Sequence, residues 1–261
     1  MLLTKVPVLN IEIDNVKFSE AIKKFKTSKY IFTPNIDHLY NLSTNKEFFS
    51  AYKSADLILC DSKILTILSN FFLSKKLQTI HGSDYFPKLC EYYKYDKDFK
   101  VFLLGGSSQK HTNLAIEKIN RKNKSEVIIS GYSPPFGFEK DINEIKKIIQ
   151  LVNSSCATVL VVGLGSPKQE LFIEKFKKSF ANINHFTGLG GVIDLESGLI
   201  KRCPQFLRSL CLEWFYRFLN EPNRLFIRYF VNGPLVIIWI VKLKLKIWKN
   251  AFKKFVFMIY F

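Results

Sequence analysis

Six short β-rich runs, at positions 30–33, 56–60, 101–104, 127–130, 158–162 and 183–187, are separated by longer stretches with helical spacing. Such alternation confines the chain to βαβ units, because neighbouring parallel strands need a crossover and a helix normally provides it. The intervening segments 19–26, 107–120, 140–151 and 168–180 carry the required periodicity, and several open on Ser or Asp, which cap helix starts. Residues 1–200 are therefore expected to form one α/β domain, a Rossmann-like, doubly wound and mostly parallel sheet. With 261 residues, 48% of them apolar, the chain can bury a core of that size.

Beyond Pro204 the texture changes, as Arg and Lys begin to interleave with Trp, Phe, Tyr and Leu. From Gln205 to Phe261 ten Lys or Arg face only two acids, Glu213 and Glu221, so a net of +8 out of the chain's +17 sits in this tail. Pro222 and Pro234 each suit a helix start, which predicts helices over 204–220, 222–232 and 234–255, a basic helical appendage spanning 201–261. Trp214, Tyr216, Phe218, Trp239 and Trp248 among cations, with Lys242, Lys244 and Lys246, fit an interfacial element drawn to an anionic membrane surface. Its longest apolar run, 235–241, is seven residues, whereas a spanning helix needs about 20, so a peripheral position is expected. The amino end lacks a signal-peptide pattern, and the five Cys are odd in number without a CxxC pair. Both point to a reducing cytoplasm and the inner face of the membrane. The four His are scattered without metal-ligand spacing, and neither metal nor cofactor is expected.

In doubly wound sheets, ligands collect outside the carboxyl ends of the strands. Here those ends carry Thr33 and Asn35, then Asp61, Gly105 and Gly106, Gly131 and Tyr132, Gly163 and Gly165 with Pro167, Lys168, Gln169 and Glu170, and finally Gly190, Gly191 and Asp194. Glycine lets backbone N–H groups approach a phosphate closely, and several such ends around one crevice suit a diphosphate. Any single one of these glycines is better explained as a tight βα turn, and it is their recurrence that favours a ligand. No GxGxxG or Walker loop is completed, which disfavours a nicotinamide oxidoreductase. Asp61, directly after an apolar strand, sits where a general base belongs, yet an Asp at that junction also caps helices, and both readings stay open. Thr33 and Asn35 are likewise compatible with ligand contact or with turn chemistry. The triplet Asp96-Lys97-Asp98 spells a DxD, but it precedes a strand and so falls at the amino edge of the sheet. Arg202, Arg208, Arg217, Arg224 and Arg228 of the tail could clamp a diphosphate, the alternatives being a solvated helix face or a nucleic-acid patch.

These residues fall into blocks: TPNxDHL at 33–39, ADLILCD at 55–61, HGSDYF at 81–86, VFLLGG at 101–106, GYSPPFG at 131–137, VVGLGSPKQE at 161–170, GLGGVIDLESG at 188–198, KRCP at 201–204, LEWFYR at 212–217 and EPNRLFIRY at 221–229. In this order they resemble the WecG/TagA/CpsF glycosyltransferases, family 26. The resemblance implies metal-independent, inverting transfer from a UDP-sugar, typically UDP-N-acetylmannosamine or its uronic acid, to undecaprenyl-diphosphate N-acetylglucosamine. It implies that Asp61 is the base with Thr33 and Asn35 beside it, that the GLGSPKQE and GVIDLESG segments line the nucleotide pocket, and that Arg217, Arg224 and Arg228 meet the lipid diphosphate. Ser62 stands where the family usually has Gly, and Arg202-Cys203-Pro204 where it has RAP. The competing readings are another UDP-hexose donor in capsule or exopolysaccharide synthesis, and a non-catalytic basic protein on membrane or nucleic acid. The transferase reading expects no nucleic acid and leaves self-association open.

Overall fold

The computed structural model describes residues 4–72 and 76–260. Its strands are β1 (Thr4–Val8), β2 (Ile11–Asn15), β3 (Tyr30–Phe32), β4 (Leu57–Ile58), β5 (Val101–Gly105), β6 (Ile128–Tyr132), β7 (Val159–Gly163) and β8 (His185–Gly188). Strands β3 to β8 form one wholly parallel sheet in the order β4-β3-β8-β7-β5-β6. All six predicted runs are present in it.

The helices are α1 (Phe18–Lys24), α2 (Ile36–Thr44), α3 (Lys46–Lys53), α4 (Lys63–Phe72), α5 (Gly82–Tyr93), α6 (Gln109–Asn123), α7 (Ile142–Ser154), α8 (Lys168–Phe176) and α9 (Val192–Ser197), followed by α10 (Gln205–Ser209), α11 (Glu213–Asn220), α12 (Pro222–Phe226) and α13 (Gly233–Tyr260). Several start on side chains that accept the free N–H groups of the first turn: Asn35 for α2, Ser108 for α6 and Asp141 for α7.

Strand residues alternate between two cores, as a pleated strand buried on both faces requires. Phe102, Leu104, Leu160 and Val162 point to one core with α2, α3, α7 and α8, whereas Val101, Leu103, Val159 and Val161 point to the other with α1, α5, α6 and α9. Helix α2 leaves β3 on the first face, and α9 leaves the adjacent β8 on the second. Loops that diverge in this way open a crevice at the carboxyl edge, and this crevice positions the site.

A hairpin, β1 and β2, was not anticipated. Val6, Val8, Ile11 and Ile13 alternate inward on either side of a Leu9-Asn10 turn, and β2 shields the edge strand β4, where the Ile58 N–H donates to Asp14 Oδ2 at 2.8 Å. Two short strands around a turn with neither Gly nor Pro give little local signal.

The three tail helices predicted over 204–220, 222–232 and 234–255 correspond to α10 and α11, then α12 extended by a π-helical turn over Ile227–Asn232, then α13. Among the described residues no helix is long and apolar enough to cross a membrane. The start of α13 packs on the first core: Val236 and Ile240 are buried there, and Trp239 stacks on Tyr40 with ring centroids 5.9 Å apart. Ile240→Ala should therefore destabilise the whole fold by roughly 2–5 kcal/mol, the usual range for truncating a buried aliphatic side chain. Thermal unfolding would check this; a melting temperature equal to wild type would mean that α13 is not part of the core.

Candidate active site

Two adjoining cavities, of about 150 and 430 Å³, lie between the carboxyl ends of the strands and the layer formed by α10 to α12. Asn35, Asp61, Arg208, Glu213, Arg217 and Arg228 line both. The smaller adds Thr33, Gly165, Ser166, Gln169, Gly190 and Gly191 from the strand ends, and the larger adds His81, Trp214 and Tyr229.

Backbone bonds that prolong the ladder hold Asp61 at the crevice: the Leu59 N–H donates to Phe32 O and the Asp61 N–H to Pro34 O, each at 2.9 Å. The carboxylate does not cap α4. Ser62 does, accepting the Leu65 N–H on its hydroxyl at 3.2 Å, and Asp61 is left to pair with His81, Nδ1 to Oδ1, at 2.9 Å. The other imidazole nitrogen lies 3.9 Å from Glu213 Oε2. Burial works against the charged ring of His81, but the Asp61 hydrogen bond and the charges of Asp61 and Glu213 outweigh it and raise its pKa above the ordinary value.

On the opposite wall, Asn35 caps α2 by accepting the N–H groups of Asp37 and His38. The Asn35 N–H in turn donates to His38 Nδ1, so the ring proton sits on Nε2 and donates to Glu170 Oε1 at 3.2 Å. Gln169 joins the chain, giving its amide N–H to Glu170 at 2.8 Å and accepting the Gly190 N–H at 2.9 Å. This buried polar chain locks the loops after β3, β7 and β8 relative to one another. Gly165 and Gly190 have positive φ angles of 77° and 55°, and a side chain at either would meet nothing within 4 Å. Their backbone is thus both bent and accessible.

Not every predicted residue reaches these cavities. Gly105, with φ of 126°, packs so closely that a Cβ would lie 2.4 Å from Gly163 O, which makes the pair a strand contact. Gly131 and Gly106 pack on Thr112, and Asp194 accepts from the Ser107 N–H and hydroxyl, each at 2.8 Å. Tyr132 is engaged by Glu144 and Lys147. Lys168 pairs with Glu139 at 2.6 Å above the Phe136 ring, and Pro167 precedes α8 as its cap residue. Glu170 is fully buried behind the cavity wall.

The arginines separate by partner. Arg202 donates to Asp84, Glu196 and Ser83 O; the last is left without a helical donor because Pro87, four residues on, has no N–H. Arg208 binds Asp84 and lies 3.5 Å from Glu213, and Arg217 also binds Glu213. Burial tends to raise the Asp84 pKa, but the Arg208 hydrogen bond and charge hold its carboxyl below the usual range. In contrast, Arg228 Nε is buried without a partner among the described residues, as is Ser166 Oγ, and both residues line the smaller cavity. The side chain of Arg224 lies outside the described residues. Sequence reasoning met His81 and Asp84 only within the HGSDYF block and Glu213 within LEWFYR, and gave them no role: a lone His and two acids show no ligand spacing until the fold brings them together.

A doubly wound sheet whose carboxyl-edge crevice holds a histidine-paired carboxylate beneath a layer of arginines and acids has the form of an α/β enzyme with its site at that edge. The chain belongs to the glycosyl transferase WecG/TagA/CpsF family, whose model matches residues 6–250. Among its relatives is the N-acetylglucosaminyldiphosphoundecaprenol N-acetyl-beta-D-mannosaminyltransferase of Bacillus spizizenii (strain W23), 33% identical over 196 residues, which cover 75% of this chain and 72% of the relative. The enzyme of the same name from Bacillus subtilis (strain 168) is 30% identical over 202 residues, 76% of this chain and 74% of its own length.

Proposed function

We propose that the protein transfers N-acetylmannosamine to N-acetylglucosamine carried on undecaprenyl diphosphate, the transfer named for its two relatives, and that its donor is the UDP-sugar. The observation that carries the reading is the position of Asp61 in the wall common to both cavities. A carboxylate there meets both substrates of a two-substrate displacement.

In this reading the donor occupies the cavity walled by Gly165, Ser166, Gly190 and Gly191, and the acceptor sugar enters beside Trp214 and Tyr229. The acceptor hydroxyl oxygen attacks the anomeric carbon, its proton passes to Asp61, and the bond from that carbon to the β-phosphate oxygen breaks to release UDP. A single displacement on an α-linked donor yields the β product that the relatives' names specify. The bent backbone at Gly165, the Ser166 hydroxyl and Arg228 supply donors for the departing charge and for the lipid diphosphate. Thr33 and Asn35 act as ligand contacts beside the base. The DxD triplet has no part in this scheme, since Asp96 pairs with Lys26 at the amino edge of the sheet.

The enzyme works as a peripheral protein on the cytoplasmic face of the membrane. Exposed Phe206, Leu210, Leu219, Phe226 and Ile227 on the tail, with Lys242, Lys244 and Lys246 further along, suit an anionic lipid surface.

The test is incubation with a panel of UDP-sugars and a soluble lipid-diphosphate N-acetylglucosamine analogue, in EDTA, with products weighed. The expected product is heavier by one N-acetylhexosamine and appears with stoichiometric UDP. Transfer of a different hexose alone would select the other-donor reading, and no transfer with any donor would remove the proposal.

A further inference from the structure

His81 is set opposite Asp61 by backbone geometry. The Ile80 N–H donates to Cys60 O at 2.8 Å, which carries the 76–81 segment alongside the extension of β4, and His81 then opens α5 with its own carbonyl accepting the N–H groups of Asp84 and Tyr85. The imidazole binds only Oδ1 of the carboxylate. On the other side, a Cβ at Gly82 would lie 3.7 Å from Asp61 Oδ2 and 3.6 Å from Thr33 Oγ1, so the absent side chain leaves Oδ2 open toward Thr33.

On the basis of the proposed transfer, we infer that His81 is a positioning residue for the reaction: by holding Oδ1 it fixes the rotation of the Asp61 carboxylate, so that Oδ2 faces the acceptor hydroxyl. A free carboxylate turns readily about its terminal bond, and a base that samples several orientations meets the hydroxyl in few of them. The raised pKa of His81 fits this role, because a charge-assisted bond is shorter and stronger than a neutral one. Glu213 and Arg208, the other charged groups against the ring, are both on the tail, so the support for the base is completed only when α10 and α11 are docked. His81 does not touch the reacting atoms in this account.

Two isosteric halves of histidine separate orientation from mere space filling. Asn places an amide nitrogen where Nδ1 stands and can keep the Asp61 bond, whereas Gln reaches toward the Nε2 position and cannot. The expected result is that His81→Phe and His81→Gln lower kcat by roughly 10–100-fold with the KM for the UDP-sugar unchanged, the scale on which misplacement of a reacting group is felt. His81→Asn should stay within a few-fold of wild type. In an Asp61→Asn background, His81→Phe should cause no further loss. The inference is overturned if His81→Phe turns over at the wild-type rate, if the Asn and Gln variants fall equally, or if the loss appears wholly in KM. Wild-type protein that transfers no sugar would instead count against the proposed function.

Discussion

Asp61→Asn lowers the transfer rate by about 10²–10⁴-fold, the usual cost of removing a general base, while UDP affinity and melting temperature stay close to wild type. The amide keeps the shape of the carboxylate but cannot take up the acceptor's proton. Folding should tolerate the change because Ser62, not Asp61, caps α4, and because His81 can still hydrogen-bond the amide oxygen. The measurement is single-turnover transfer alongside UDP binding by calorimetry. Activity within a few-fold of wild type would return Asp61 to a structural role and leave the site without an evident base.

Arg228→Ala should lower kcat/KM for the lipid-linked acceptor about 10–100-fold, equivalent to about 1.5–3 kcal/mol for a hydrogen bond to a charged group. The motive is its buried Nε, which has no partner among the described residues, in a wall where Arg202 and Arg208 already bind acidic side chains. Arg228→Lys should recover only part of the loss, since an ammonium keeps the charge but not the planar fork. If UDP affinity falls in place of acceptor turnover, Arg228 serves the donor diphosphate. Arg217→Ala is a less direct probe, because it also strips a partner from Glu213. Truncation after Cys203 would remove Val236 and Ile240 from the core as well as the arginines, so loss of activity there would not distinguish clamp from fold.

Much of the architecture was legible because parallel strands buried on both faces must be continuous apolar runs, and crossover helices must show periodicity near 3.6. Residues 101–104 and 158–162 met the first condition and became β5 and β7; 107–120 met the second and became α6. The hairpin escaped notice for the opposite reason, since its stability comes from covering the β4 edge and not from its own turn.

The sequence by itself determined the fold class, the family and the candidate base, because each rests on local order: alternating runs, ordered blocks, and an acid directly after an apolar strand. Only the tertiary structure decided what those residues do. It separated Gly105 and Gly163, which pack against each other, from Gly165 and Gly190, which face a cavity, although all four look alike as glycines after strands. It also gave Asp61 its histidine from twenty positions away, and it set the acids of α5, α9 and α11 against Arg202, Arg208 and Arg217 while leaving Arg228 Nε unpaired among the described residues. Hydrogen bonds and charges act over a few ångströms through space, and that distance is set by how the chain packs.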